Sequence, residues 1–375
     1  MSSLDLAAET LLDTAACVPV EGAPDSRYRV APYSTGQAAE IMRVASNHGL
    51  KVLIWGGGTH QGIGYPVDPD IVLSTHRLSS IVHWEPDDLT VVVEAGVKVS
   101  DLEELLAEKG QTAVMPEMPG EATVGGTIAA GVSGWRRLRF GPTRDRVLEV
   151  ILATGDGRVV RAGGRLVKNV TGYDIPRLTS GSLGSLGVIS QVCLKLWPRG
   201  QSFAGVQVAN AEEARNVAYR PLALLETDLG TMVYFSGTSE EIDAQATALG
   251  GVPVNNPRWP RPLHSPQRIS IRVPAALTSE AVKRVQILSG VRYRAAHGVG
   301  EIIVGMVEFP RSWLDEARIW AERAGGALVI TRGASASDDC DPWGTPPPSV
   351  ELQRRVKAAF DPMGISNPGR LPGRL

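Results

Sequence analysis

Two glycine-dense loops, each joined to an apolar strand, constrain this chain more than any other feature. Val52-Leu-Ile-Trp runs straight into Gly56-Gly-Gly-Thr-His-Gln-Gly62-Ile-Gly64, and Gly181-Ser-Leu-Gly-Ser-Leu-Gly187-Val-Ile189 leads into a second strand. Glycine lets the backbone turn with φ > 0 and lets a ligand approach the main chain without meeting a Cβ. A strand followed by such a loop can aim several backbone N–H groups at one anion. One loop of this kind could be a tight turn. Two, with no Walker-type lysine after the glycines, suggest a cofactor with a diphosphate and an extended body.

The bulk numbers narrow the setting. A chain of 375 residues that is 43% hydrophobic can fold as two lobes. Formal net charge is -2, from Lys+Arg 38 against Asp+Glu 40, so nucleic acid or an anionic membrane surface is not expected as the main partner. The three cysteines, Cys17, Cys193 and Cys340, are far apart. They cannot supply a four-cysteine iron–sulfur cluster or a zinc ribbon, and reduced thiols in a cytoplasmic protein are expected. No metal site is expected. The N-terminus carries early acids and no basic segment, so it does not read as a secretory signal. No run of about 20 uncharged apolar residues suggests a membrane span.

Periodicity and turn residues give the elements. Residues 4–16 have helical spacing. A helix capped at Ser34 or Thr35 and stopped at Gly49 is followed by strands at Lys51–Trp55 and Ile71–Ser74, a β-α-β opening. A strand at 88–96 precedes a helix expected to be capped at Ser100. Val124–Ala130, rich in small residues, reads as a close-packed helix. Strands 146–154 and 158–161 flank the hairpin turn Gly155-Asp-Gly157. Strand 188–197 ends at Pro198-Arg-Gly200, whose turn chemistry reads as a boundary. Beyond it, helices at about 211–219, 238–249, 277–289 and 311–324 alternate with strands near 230–235, 269–273, 301–307 and 327–332, the pattern of a sheet backed by helices. Segments 252–268 and 333–349 read as loops, and 350–360 as a helix.

In order along the chain, further segments join the two loops: Pro119-Gly-Glu-Ala-Thr123-Val-Gly-Gly126-Thr127, Phe140-Gly-Pro-Thr-Arg-Asp145, Lys168-Asn-Val-Thr-Gly-Tyr-Asp174 and Phe360-Asp-Pro followed by Asn367-Pro-Gly-Arg370. The set resembles FAD-linked oxidases of the vanillyl-alcohol-oxidase, or PCMH, type over most of 28–199 and again at 350–371. Within that family it is similar to the E-type, FAD-binding subunits of bacterial glycolate oxidases. The resemblance implies an α+β fold, a two-lobed PCMH-type FAD-binding fold with a smaller α+β cap. The expected divisions are an N-terminal helix at 1–23, the FAD-binding domain at 24–199, the cap at 200–345 and a C-terminal segment at 346–375 that packs back. It implies FAD as cofactor and a small 2-hydroxy acid, such as glycolate, as substrate. It also implies a D-type FAD subunit and an iron–sulfur subunit as partners, which could place the chain at a membrane indirectly.

The resemblance assigns residues to FAD. Gly56, Gly57, Gly58, Thr59 and His60 would meet the diphosphate, although a strand-to-helix turn could use the same glycines. Thr123, Gly125, Gly126 and Thr127 would make a second contact, or a helix–helix contact, or both. Gly181, Ser182, Gly184, Gly187 and Ile189 would line flavin and adenosine, where an isolated string could be a plain loop. Lys168, Asn169, Tyr173 and Asp174 complete the set, although a Tyr-Asp pair also suits a packed turn. Some family members bond flavin covalently through a histidine after the glycines. Here Thr59 takes that place and His60 follows it, so noncovalent FAD is expected. For catalysis the candidate is His297, in His297-Gly-Val-Gly-Glu301, where the family's metal-dependent members carry Asp and Asn at the positions of Val299 and Glu301. It could take a hydroxyl proton, or be a loop histidine before a buried strand. With at most a base in hand, the chain is expected to turn over hydroxy acids poorly by itself, with oxidation centred on the D-type partner; the alternatives are a stand-alone FAD-dependent oxidoreductase of a small alcohol or hydroxy acid, or a flavin-free structural subunit.

Overall fold

The structure is a computed structural model that describes residues 6–17, 21–118, 120–164, 173–333 and 340–375. It begins with a helix, Leu6–Thr14, and then a parallel three-stranded sheet in the order Tyr28–Val30, Ile71–Ser74, Val52–Trp55. The helix Thr35–His48 crosses between the first and last of these. Ser34 caps it by accepting from the Gln37 N–H, and Gly49 ends it in the left-handed conformation at φ 65°. Its buried face, Ala38, Ile41, Met42 and Ala45, packs with Val52, Ile71 and Leu73 in one core cluster.

A five-stranded antiparallel sheet follows, ordered Ile81–Glu85, Thr90–Glu94, Gly187–Lys195, Val147–Thr154, Val159–Gly163. Its central strand, Gly187–Lys195, is buried along nearly its whole length. The helices Val99–Ala107 and Val124–Ala129 pack on it through Leu102, Leu106, Val124 and Ile128. The first of these helices is not capped at Ser100. Lys98 holds the cap position without a side-chain bond, and the Ser100 hydroxyl bonds Asp101 instead.

The remaining long sheet has eight antiparallel strands, all drawn from 202–332. The four strands expected there are present. Four more join them: Ser202–Val208, Ala223–Thr227, Arg292–Ala296 and a short edge strand Pro253–Asn255 inside a segment that reads as loop. Arginines and glycine interrupt the apolar pattern of Arg292–Ala296 and Ser202–Val208, and only cross-strand pairing reveals them as strands. The helices Thr278–Gln286 and Arg311–Arg323 cover one face, with Val282, Val285, Trp313 and Ala317 packed against Ile269, Ile271, Ile302 and Val304.

After the helix Val350–Phe360 the chain returns to the first sheet. The Val52 N–H donates to the Ile365 carbonyl at 2.9 Å, and the Asn367 N–H to the Val52 carbonyl at 2.9 Å. Lys357, buried, donates to Asp361 (2.8 Å), to the Ser185 carbonyl and to the Ser366 carbonyl, both at 3.0 Å. A charge pair this well hydrogen-bonded fixes the tail in one register.

Candidate FAD cleft and adjoining crevice

The strand Val52–Trp55 delivers Gly56–Gly58 against the segment 121–126. A Cβ on Gly57 would fall on the Glu121 carbonyl oxygen, and a Cβ on Gly56 would lie 2.5 Å from Thr123 Oγ1. Gly58 has φ 71° and stacks on the Trp55 indole. These glycines therefore let two loop backbones touch each other as well as leave room for a ligand. Thr123 caps the helix Val124–Ala129, accepting from the Gly126 N–H at 3.2 Å. Gly125 fits because its Cβ would meet the Ala95 Cβ at 2.5 Å.

Between these loops and the third lies a cleft open to solvent. Gly56, Gly57, Gly58, Thr59, His60, Gly125, Gly126, Gly184, Gly187 and Ile189, each expected from the sequence, form its wall with Ala129, Ala130, Leu183 and Arg370. Among the described residues, the N–H groups of Gly56, Gly57, Gly58, Thr59 and His60 donate to no acceptor. A row of unclaimed donors on a glycine loop is a fitting cradle for a diphosphate.

The cleft opens into a wider crevice of about 1690 Å³. Thr59, His60, Ala130 and Leu183 belong to both walls. The crevice floor comes from 130–144 and from Gly181, and its far wall from the eight-stranded sheet through Arg268, Ser270, Arg272, Arg294 and Glu301. Several of these charges are already paired. Arg272 meets Glu301 at 3.3 Å, Arg294 meets Asp228, and Glu117 meets Arg136 at 2.6 Å. Arg268 is different. Its Nε donates to Thr331 Oγ1 at 3.1 Å, and no carboxylate among the described residues pairs with it. Burial, with Arg332 nearby, pulls its pKa down.

His60 sits at the junction. Its Nδ1 lies 3.0 Å from Thr59 Oγ1. Burial, and then the positive charges of Arg268 and Arg370, push its pKa down to about 4, so the ring is neutral at neutral pH. Two residues of the tail brace the loops. Asn367 accepts from the Ile54 N–H at 2.8 Å and donates to the Leu183 carbonyl, tying the first and third loops together. Arg370 donates to the His60 and Ile63 carbonyls and to Gln61 Oε1. Arg146, buried, donates to the carbonyls of Val114, Phe140, Gly141 and Pro142 and so shapes the crevice floor.

Other expected site residues lie elsewhere. Thr123 and Thr127 stand behind the cleft wall, Thr123 as a helix cap and Thr127 1% exposed with no partner for its hydroxyl. Ser182 is buried in the third loop and lines neither space. Tyr173 is 92% exposed, and Asp174 caps the helix Ile175–Thr179 and pairs with Arg177. Lys168 and Asn169 lie outside the described residues. His297 is withdrawn from both spaces. Its ring is 3% exposed, with Nε2 held by Glu226 at 2.8 Å in the turn between two strands. The alternative reading of a loop histidine before a buried strand is the one this geometry favours.

A family model described as an FAD binding domain matches residues 26–163. The chain is an FAD-dependent oxidoreductase, with this match confined to its first half. Among its relatives is glycolate oxidase subunit GlcE of Escherichia coli strain K12, 28% identical over 363 residues, which cover 92% of this chain and 99% of that one. Glycolate oxidase subunit GlcD of Bacillus subtilis strain 168 is 35% identical over 179 residues, 46% of this chain but only 37% of that one. An alkyldihydroxyacetonephosphate synthase structure superposes with a TM-score of 0.64 at 16% identity, over 93% of this chain and 78% of the other, and shows a shared fold. FAD is thus the cofactor of this oxidoreductase, and the cleft with its row of free N–H groups fits it. No helix among the described residues is long and apolar enough to cross a membrane.

Proposed function

We propose that this FAD-linked oxidoreductase is the FAD-carrying subunit of a glycolate-oxidase-type assembly and takes part in oxidising glycolate or a related 2-hydroxy acid to the 2-oxo acid. The observation that carries the reading is Arg268. It is a cation without a carboxylate partner, set on the crevice wall and close enough to lower the pKa of His60. A guanidinium so placed matches a substrate carboxylate, which it can grip through two parallel hydrogen bonds.

FAD, when bound, supplies the acceptor for two electrons and the carbon-bound hydrogen. The chain's own residues do the rest. Arg268 holds the carboxylate and so presents the hydroxyl-bearing carbon toward the junction. His60, neutral and engaged through Nδ1 by Thr59, leaves Nε2 to accept the hydroxyl proton. The eight-stranded sheet and the 130–144 segment form opposite walls of the crevice. With no histidine at the Thr59 position, FAD is held noncovalently. Extension of the GlcE likeness along the whole relative supports an assembly with a D-type flavoprotein. An iron–sulfur subunit would carry electrons onward, since three dispersed cysteines cannot bind a cluster within this chain.

The test is purification of the assembly from its native host, with flavin and iron measured per complex and glycolate and lactate turnover assayed. Flavin released into the supernatant on acid denaturation, iron present and activity lowered at least thirtyfold by Arg268→Met are expected. A lone, iron-free chain, or turnover indifferent to Arg268→Met, contradicts the proposal.

A further inference from the structure

The crevice holds more positive charge than one carboxylate needs. Six arginines line it against two carboxylates, Glu117 and Glu301. Both carboxylates are engaged, Glu117 by Arg136 at 2.6 Å and Glu301 by Arg272 at 3.3 Å. Arg144 lies 3.9 Å from Asp145. Arg294 shares Asp228 with Arg292, so those two guanidiniums keep one net charge. The Arg294 Nε, buried, finds no acceptor among the described residues. Arg137, Arg261 and Arg268 pair with no carboxylate among the described residues. The carboxylate of glycolate would occupy Arg268 alone. Like charges gathered around one space repel, and an anion that enters it offsets the repulsion.

The surplus is gathered at one end. Arg268 and Arg294 stand on the same face of the eight-stranded sheet, with Arg294 opposite Ile303 and Ile303 opposite Ser270. Their strands are two places apart in the sheet, which is about 10 Å. On the Arg294 side, Ala223, Leu225, Tyr234 and Ala296 form a small apolar cluster, and Trp135 and Trp259 both pack against it. Arg137 follows Trp135 by two residues and Arg261 follows Trp259 by two, so one cluster sets both arginines at the same end of the crevice. Arg261 is positioned rather than loose. Its loop crosses the sheet from the edge strand Pro253–Asn255 to Gln267–Arg272. Trp259 stacks on Tyr234 with ring centroids 4.4 Å apart, Leu263 is buried, and Ser265 fills the space that a Cβ on Gly305 would need. Pro260 and Pro262, on either side of Arg261, restrict the backbone further.

We propose that the crevice takes a 2-hydroxy acid with a second anionic group, carboxylate or phosphate, at the far end of a short chain, and that Arg137 and Arg261, together with Arg294, hold that group. Arg268 grips the carboxylate next to the hydroxyl, and the second pole grips the tail. Guanidinium forks match either kind of oxyanion. The inference names the substrate class for the function proposed above and rests on that reading for its first anchor, Arg268.

The experiment titrates the FAD-loaded full chain at physiological ionic strength with matched acids that differ in the charge of the tail. Racemic 2-hydroxyglutarate is compared with racemic 2-hydroxypentanoate, and 3-phosphoglycerate with glycerate. Flavin absorbance and calorimetry are both followed, so an acid that binds without moving the spectrum is still counted. Wild type should bind the doubly anionic member of at least one pair roughly tenfold more tightly than its partner, and the pair that responds tells carboxylate from phosphate. The double variant Arg137→Gln/Arg261→Gln should lose that preference, keep its FAD and bind the neutral-tailed acid as wild type does. Arg139→Gln removes an exposed charge from the same short helix outside the crevice and should keep the preference. Arg268→Met should weaken both members of a pair and leave their ratio in place. Equal binding within both pairs by wild type overturns the proposal and leaves the Arg268 reading standing. A preference that Arg139→Gln lowers as far as the double variant does also overturns it, by assigning the effect to the general field of the protein. Undiminished affinities in Arg268→Met, with the preference intact, would instead sink the Arg268 anchor and leave the second pole standing.

Discussion

The cleft and the crevice share four wall residues and are built on opposite plans. The cleft is made of backbone: glycines, small side chains and unclaimed N–H groups, contributed by three loops from the same half of the chain. The crevice is made of side chains, many of them arginine, set on strands from the eight-stranded sheet and on the 130–144 segment. A cofactor with fixed chemistry can be held by main-chain groups that every loop possesses, so its site needs residues that are absent, namely Cβ atoms. A substrate site must discriminate, and discrimination comes from charged groups placed across distance.

The plan of the cleft can be broken most severely at Gly57. Gly57→Val should abolish FAD retention, read as loss of visible absorbance in the purified chain. The cause is a clash with the Glu121 carbonyl that drives the first two loops apart, more than a side chain intruding on the cofactor. A yellow Gly57→Val protein would mean that the loop contact can yield.

His60 lies where the two plans meet, and its burial should appear as acid sensitivity of the apoprotein. Its folded pKa of about 4 lies below the 6.5 of a free imidazole. Between these values the unfolded chain binds the proton and the folded chain does not, so stability falls as pH drops through this window. The full contribution is about 3 kcal/mol. Urea titrations at pH 7 and pH 4.5 should show a steeper acid loss for wild type than for His60→Asn. Parallel losses in the two proteins would show that the ring is not held neutral by the fold.

A smaller effect sharpens the boundary of the crevice. His297→Ala should cost about 1–3 kcal/mol of stability by taking from Glu226 one of its two side-chain partners and leaving only Tyr293. FAD content and the spectrum with bound hydroxy acid should not change. Loss of activity at full flavin occupancy and unaltered stability would return His297 to the site.

The contrast explains what could be read in advance. The three glycine loops, the helix between them and the β-α-β opening are local: Gly56–Gly58 follow their strand directly, and Thr123 caps its own helix. The residues missed act at long range. Asn367 and Arg370 belong to the Asn367-Pro-Gly-Arg370 segment, yet nothing in the sequence says that they bond to Ile54, Leu183 and His60 more than 180 residues away. Arg268 carries a local signal. In Gln267–Arg272 the isoleucines at 269 and 271 point to the core, which leaves Arg268, Ser270 and Arg272 on one face, and all three line the crevice. His297 is the opposite case: the fragment His297-Gly-Val-Gly-Glu301 is local, whereas the strand pair that encloses it is formed by pairing across the turn.

The central claim is that the crevice selects an anion through Arg268, and a spectral titration tests it most directly. FAD-loaded wild type and Arg268→Met are titrated with oxalate, glycolate and the neutral diol ethylene glycol, following the flavin absorbance under anaerobic conditions. The account predicts that wild type binds the two acids at least thirtyfold more tightly than the diol, and that Arg268→Met loses this preference while keeping its FAD. Equal binding of acid and diol by wild type, or an undiminished preference in Arg268→Met, would contradict it.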